Sequence, residues 1–294
     1  MSEPAEDYVR VGRLTVGGWF DETDGWMFRA VDQLQRDEHG DLVEVGVYLG
    51  RSAILLGYLA RPGERMIAVD LFEDPASSAE QRAEADRWYR GLQRRRFEES
   101  YAAFHEQPPT VLQGPSDEVL GEVAAGSARI VHIDGSHSFE AVSADIDHAC
   151  RIATPNAVLI FDDIAHRHTI GVAAAVWKAV VDGRIVPLAV TGWKLYTTVP
   201  GSSVTAAALG SALAAHPLYV VREHEIDGSS VLEVAVEPFV TPPAPRTRWR
   251  RAIVELVPPV AYWIRQRGAV ELVPPIAHRI KRKVLRARAR STSP

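Results

Sequence analysis

From Leu42 onward the chain alternates short apolar runs with stretches of helical periodicity, and this alternation restricts the fold more than any other feature. Candidate strands fall at 42–45, 66–69, 110–112, 128–133, 157–161, 185–190 and 195–199. Candidate helices lie between them at 52–60, 80–106, 116–123, 139–152 and 169–181. Strands that recur with a helix between them are βαβ units, and such units build a parallel sheet covered on both faces. The last two strands are joined only by Thr191-Gly192-Trp193-Lys194, too short for a crossover, so they end the sheet as an antiparallel hairpin.

The flanks carry their own signals. Gly17-Gly18-Trp19-Phe20 forms a turn, and Thr23 is placed to cap a helix running to about Arg36. On that helix Asp24 and Asp32 fall among the solvated positions, with Trp26, Phe28 and Leu34 available for burial. Residues 204–215 are helical in pattern, and 218–223 with 231–236 form a second hairpin across Asp227-Gly228. Thr241-Pro-Pro-Ala-Pro245 is a stiff boundary. The expected organisation is a helical lead-in at 1–40, a main domain at 41–200, a helix and hairpin extension at 201–240, and a Pro-rich linker with a basic tail at 241–294. The expected fold class is α/β: a doubly wound, Rossmann-like, seven-stranded, mostly parallel sheet with an antiparallel last strand, plus a basic helical C-terminal tail.

Charge separates tail from body. The formal net charge is −5, yet residues 246–290 hold 13 Lys and Arg against only Glu255 and Glu271, a balance of +11. The first 245 residues therefore carry −16. Within the tail Glu255-Leu-Val-Pro-Pro-Val-Ala261 recurs as Glu271-Leu-Val-Pro-Pro-Ile-Ala277, and Trp249, Ile253, Tyr262, Trp263 and Ile280 interleave with the basic residues. That pattern leaves two readings open, a solvated, disordered or loosely helical segment and an interfacial helix that would make peripheral membrane contact through residues 246–290. The acidic body opposes a long polyanion, which argues against nucleic acid as a partner. No apolar run approaches the ~18 residues of a membrane span, and the acidic start lacks the apolar core of a signal peptide. A single cysteine, Cys150, forms no internal disulfide and no Cys-rich zinc site. The expected compartment is the cytoplasm, including the inner face of its membrane; self-association is left open.

Three groups of residues carry chemistry. Glu44-Val-Gly46-Val-Tyr48-Leu-Gly50-Arg-Ser52 joins a strand to a helix. Gly46 and Gly50 let the backbone turn tightly and approach a ligand, while the helix start offers free N–H groups. The spacing G-x-x-x-G is neither a dinucleotide fingerprint nor a P-loop. Asp70, 24 residues after Gly46, closes the next strand, where an acid can accept hydrogen bonds from ribose hydroxyls. Asp134 closes the fourth strand and Asp162-Asp163 the fifth, so three carboxylates are expected at one sheet edge. Such carboxylates repel unless a cation compensates them, and a hard, oxygen-preferring ion such as Mg²⁺ would do so. His137 follows Asp134, and His166 and His168 follow the acidic pair. A neutral imidazole can take a proton from a hydroxyl, which makes His137 the first candidate base and His166 the reserve. His132 faces the other way and is expected to be structural.

In this order the motifs resemble those of class I S-adenosylmethionine-dependent O-methyltransferases. The likeness is to the metal-dependent catechol and caffeoyl-CoA type and to the bacterial, macrocin-type enzymes that methylate sugars of macrolides and glycans. It runs from Leu42 to Ile164 and rests on 43–52, Pro62-Gly63, Gly114-Pro-Ser116-Asp117, Ile133-Asp134 and Phe161-Asp162-Asp163. It implies that Glu44, Gly46, Tyr48, Gly50 and Ser52 surround the methionine part of the cofactor. Asp70 would bind ribose and Ser116 would approach adenine. Asp134, Asp162 and Asp163 would hold Mg²⁺, with Asp134 also on the cofactor's amino-group side.

Two positions depart from the catechol type. His137 stands where a lysine base is expected, and Asp163 where asparagine is usual; both argue against an aromatic catechol. Ile133-Asp-Gly-Ser-His-Ser-Phe-Glu140 is most similar to the sugar-directed branch. The implied reaction is in-line transfer of a methyl group to a small-molecule or glycan hydroxyl, with His137 and Asp134 in the catalytic centre. The basic and aromatic segment 80–106, with Trp88, Tyr89, Arg94, Arg95 and Arg96, is a candidate substrate lid. Rival readings are a metal-independent small-molecule methyltransferase, a non-catalytic, membrane-docking nucleotide-binding adaptor and an NAD-dependent oxidoreductase, the last weakened by the glycine spacing.

Overall fold

The computed structural model describes residues 3–75, 82, 91–214, 218–226 and 228–236. The basic tail and its repeat, the Pro-rich linker, and Trp88 and Tyr89 lie outside the described residues. In chain order the strands are β1 (Asp41–Val45), β2 (Met66–Asp70), β3 (Thr110–Gln113), β4 (Ala128–Ile133), β5 (Ala153–Phe161), β6 (Val186–Val190), β7 (Leu195–Thr198), β8 (Tyr219–Ile226) and β9 (Ser229–Val236). The helices that matter below are α1 (Pro4–Arg10), α2 (Glu22–Leu34), α3 (Arg51–Leu59), α4 (Arg94–Ala102), α5 (Ser116–Val119), α6 (Phe139–Ile152), α7 (Ile170–Val181) and α8 (Ala206–Ala214).

All nine strands belong to one sheet, ordered β3-β2-β1-β4-β5-β7-β6-β9-β8. The five strands from β3 to β5 are parallel, and β7 pairs antiparallel with both β5 and β6. Strand order reverses between β1 and β4, so a crevice opens beyond their C-terminal ends, the usual ligand position in such sheets. The central strands are apolar on both faces because helices cover both. One apolar layer packs Phe28, Ile54, Leu55 and Tyr196 between the sheet and α1, α2, α3 and α8. The other packs Val131, Leu159, Ile146 and Val176 between the sheet and α6 and α7.

The α/β class and the alternating order agree with the sequence reading, but the sheet has nine strands rather than seven. The hairpin across Asp227-Gly228 does not stand apart: β9 pairs parallel with β6, Ala189 opposite Leu232. An unpaired β6 would expose a row of backbone groups, and β9 also buries Leu232 and Val234 in the first apolar layer with Leu209 and Leu213 of α8.

Three local expectations are corrected. The N-cap of α2 is Asp21, not Thr23, because the Asp21 carboxylate accepts the Asp24 N–H at 2.9 Å. Asp24 is buried rather than solvated, accepting hydrogen bonds from the Thr191 and Tyr196 hydroxyls, each at 2.8 Å. Asp32 is half-buried and ion-paired with Arg61 at 2.7 Å and Arg129 at 2.9 Å. Of the segment expected to be helical over 80–106, residues 80, 81 and 83–90 lie outside the described residues, Gly91 takes a left-handed φ of 76°, and α4 spans Arg94–Ala102. Its Arg94 and Arg95 pair one turn along the same helix with Glu98 and Glu99, while Phe97 and Tyr101 are buried. No helix among the described residues is long and apolar enough to cross a membrane.

Candidate active site

The turn after β1 is shaped by its backbone. Gly46 (φ 85°) and Gly50 (φ 89°) both take left-handed conformations, and Gly50 is the N-cap of α3. A Cβ on Gly46 would collide with the Asp134 carbonyl, so the turns after β1 and β4 touch there and only glycine fits. Asp70 stabilises the same turn: its carboxylate accepts from Tyr48 N–H at 2.9 Å and Phe72 N–H at 2.8 Å. Burial raises the Asp70 pKa against those hydrogen bonds.

Three non-glycine residues have positive φ among the described residues: Tyr48 (50°), Phe72 (49°) and Asp163 (59°). They follow β1, β2 and β5, so this backbone strain collects along the cleft edge of the sheet. Outside the turn itself, the Trp19 ring lies 5.6 Å from that of Tyr48 and is 65% exposed. Ser116 opens the short helix α5 beyond β3.

Below the glycine turn, Glu44 is fully buried on β1. Its Oε1 accepts from the Ser52 hydroxyl and from His132 Nδ1–H at 2.9 Å, and its Oε2 has no hydrogen-bond partner. Burial pushes the Glu44 carboxyl up to about 8, with Ser52 and the charge of Lys194 working against it. His132 hands the network on: Lys194 Nζ donates to its Nε2 at 3.0 Å. Burial and the Lys194 charge hold this imidazole well below its ordinary pKa, so it stays neutral with its proton on Nδ1.

The carboxylates after β4 and β5 divide between two partners. Asp162 Oδ2 lies 2.6 Å from Lys194 Nζ, and Asp162 Oδ1 accepts the Asp163 N–H at 2.8 Å. Asp163 Oδ2 instead meets His137 Nε2 at 2.9 Å. Although burial raises the Asp163 pKa, His137 brings it below the usual carboxylate range. Asp134 lies between the two pairs; burial and the Asp162 charge push its carboxyl well up. A small pocket lined by Asp134, Gly135, Ser136, His137, Asp162 and Val172 opens at this edge. His166 stays on the following loop with its ring 5.7 Å from Trp193, and exposed His168 accepts from Arg167 Nε at 3.2 Å.

Two donor groups have ligand atoms within 4.8 Å of one another: His132, Asp134 and Asp162, and Asp134, His137 and Asp163. The set the sequence assigns to magnesium, Asp134 with both Asp162 and Asp163, is not among those groups. Asp162 already has an ammonium on one oxygen and a backbone N–H on the other, so that set does not fit a metal ion as an assembled site. Lys194, Trp19 and Phe72 were not legible as site residues. Lys194 alone carried a signal, as a cation at the end of a hairpin turn beside an acidic strand end.

Residues 43–164 match the family model described as "Methyltransferase domain". The matched stretch coincides with the one, Leu42 to Ile164, on which the resemblance rests. No curated protein matches the chain significantly. Among solved structures, the O-methyltransferase NovP is 18% identical, with 58% of this chain and 76% of that one covered at a TM-score of 0.47. CalS11, a TDP-rhamnose 3'-O-methyltransferase of calicheamicin biosynthesis, is 17% identical over 61% of this chain and 80% of its own, at 0.43. MycE of the mycinamycin pathway, solved with Mg, SAH and mycinamycin VI, is 15% identical over 69% of this chain and 57% of its own, also at 0.43.

Proposed function

We propose that this chain is an S-adenosylmethionine-dependent O-methyltransferase acting on a hydroxyl of a sugar, a glycan or a glycosylated natural product. One juxtaposition carries the reading: the glycine turn after β1 and the His137–Asp163 pair flank the same switch point, and Asp134 borders both. What supports a cofactor at the first of these is Glu44, whose Oε2 is buried beneath the glycine turn without a partner. When bound, S-adenosylmethionine supplies an electrophilic methyl group on a sulfonium sulfur. Glu44, Gly46, Tyr48, Gly50 and Ser52 would frame its methionine part, Asp70 its ribose and Ser116 its adenine.

On the acceptor side His137 takes the hydroxyl proton. Asp163 accepts from Nε2–H, which leaves the basic lone pair on Nδ1 and steadies the imidazolium after proton transfer. Much of the acceleration then comes from holding the hydroxyl oxygen in line with the methyl group. Trp193, 45% exposed and tied through its carbonyl to the Ile164 N–H at 3.0 Å, offers an aromatic face beside the acidic pair for a sugar ring. Magnesium enters this reading in a reduced form. Asp134, His137 and Asp163 bring ligand atoms together, the Asp162 carboxylate beside them in the pocket lining is held by Lys194, and no step is routed through the ion.

The test is a panel of glycosides assayed for methyl transfer, with S-adenosylhomocysteine binding measured by calorimetry. His137→Ala is expected to keep cofactor-product affinity within about threefold while transfer falls roughly 10²–10⁴-fold. A wild-type protein that binds neither cofactor nor product would instead support the adaptor reading.

A further inference from the structure

Charge compensation at the end of β5 is already built into the chain. Leu195 pairs with Phe161 across the antiparallel β5–β7 ladder, so the residue before Leu195 and the residue after Phe161 sit side by side. Those residues are Lys194 and Asp162. The hairpin turn fixes the lysine's backbone, with Thr191 N–H donating to the Lys194 carbonyl at 3.0 Å and Lys194 N–H to the Thr191 hydroxyl at 3.2 Å. The side chain is 1% exposed, and its ammonium meets Asp162 at 2.6 Å, His132 Nε2 at 3.0 Å and the Phe20 ring at 5.8 Å from its centroid.

We propose that Lys194 is the resident cation of the acceptor site: its ammonium gives Asp162 the counter-charge that the sequence pattern assigns to a metal, and it withdraws Asp162 from any metal-binding set. Of the donor group His132, Asp134 and Asp162, two members already hold the ammonium. A divalent ion at Asp162 would have to sit against a buried like charge or expel it from a position that is 1% exposed. Any ion at this edge is left with Asp134, His137 and Asp163, a mixed set of two carboxylates and an imidazole. A hard ion such as Mg²⁺ is served less well by that set than by three carboxylates. The inference rests on the reading of this edge as the acceptor side of a methyltransferase, and it says which charge operates there.

The experiment is titration of the full-length protein with MgCl₂ by calorimetry, in four forms: wild type, Lys194→Met, Lys194→Arg and the double variant Lys194→Met with Asp162→Asn. Lys194→Met is expected to bind Mg²⁺ at least tenfold more tightly than wild type. That gain disappears in the double variant and is absent in Lys194→Arg, which keeps the positive charge. Equal Mg²⁺ affinity in Lys194→Met and wild type overturns the proposal. Should Lys194→Met fail to melt cooperatively, Asp162→Asn alone decides. Mg²⁺ affinity within threefold of wild type supports the proposal, and a larger loss overturns it, because Asp162 would then be a ligand despite its lysine. S-adenosylhomocysteine titrated into the same wild-type sample separates the two failures, since its absence of binding would sink the enzyme reading and leave the Mg²⁺ comparison standing.

Discussion

The two sides of the cleft are built by different means. After β1 and β2 the surface is backbone: left-handed Gly46, Tyr48 and Gly50, with the Asp70 carboxylate tying the turn down through main-chain N–H groups. After β4 and β5 it is side-chain charge, with Asp134, Asp162, Asp163, His137 and Lys194 gathered from three segments far apart in sequence. A backbone site has little tolerance for added volume. A charge site accepts isosteric changes and responds to every proton. The halves meet at one contact, where Gly46 packs on the Asp134 carbonyl, and that contact is the place to break the division.

Gly46→Ala should have the largest effect. The new Cβ would collide with backbone rather than with a movable side chain, and a φ of 85° is strained for alanine even in open space. A loss of about 3 kcal/mol or more in denaturant-derived stability is expected, with S-adenosylhomocysteine binding falling below detection. Because the obstruction is on the β4 side, the His137–Asp163 pair should move as well, seen as an altered His137 imidazole signal by NMR. An alanine variant that binds the cofactor product normally would show that the two turns do not touch in solution.

The same division explains what the sequence disclosed. The glycine turn and Asp70 were legible because a strand, a turn and a helix are contiguous and each names its own conformation locally. Asp134, Asp162 and Asp163 could be assigned to one edge because a parallel sheet aligns its strand ends. Their division into an Asp162–Lys194 pair and an Asp163–His137 pair was not legible, since it depends on which residue β7 brings alongside β5. Asp24 was misjudged for a related reason. A helical wheel shows which side of α2 is polar, but not that Thr191 and Tyr196 arrive from 167 and 172 residues away to bury that side. The two added strands were hidden similarly: the hairpin's own pattern announces β8 and β9, and only the bare edge of β6 gives them a sheet to join.

Asp24 sharpens the comparison through pH. Burial raises its pKa from 3.8 to about 7, with Lys194 opposing the shift. A carboxyl whose folded pKa lies above its unfolded value takes up a proton on folding between those values, so it costs stability progressively as pH rises from about 4 to 7. Asp24→Asn removes that cost while keeping an acceptor for the Tyr196 and Thr191 hydroxyls. The stability difference between the variant and wild type should move in the variant's favour by roughly 2–4 kcal/mol between pH 4 and pH 8. Urea melts at four pH values would measure it. A difference that stays flat would mean that Lys194 keeps Asp24 ionised throughout, extending the ammonium's reach beyond Asp162.

The smallest expected effect lies at the outer rim of the backbone half. Trp19 touches the turn through its ring contact with Tyr48, and its own burial contributes little because 65% of its surface is exposed. An aromatic pair of this kind contributes about 0.5–1.5 kcal/mol, so Trp19→Ala should leave the melting temperature nearly unchanged. If the ring steadies Tyr48 for the cofactor, S-adenosylhomocysteine affinity falls roughly two- to tenfold, and acceptor KM does not move. If instead KM for a glycoside rises while cofactor affinity holds, Trp19 serves the acceptor. The border between the two halves would then run through Tyr48 rather than through Gly46, and the left-handed turn would have one face in each.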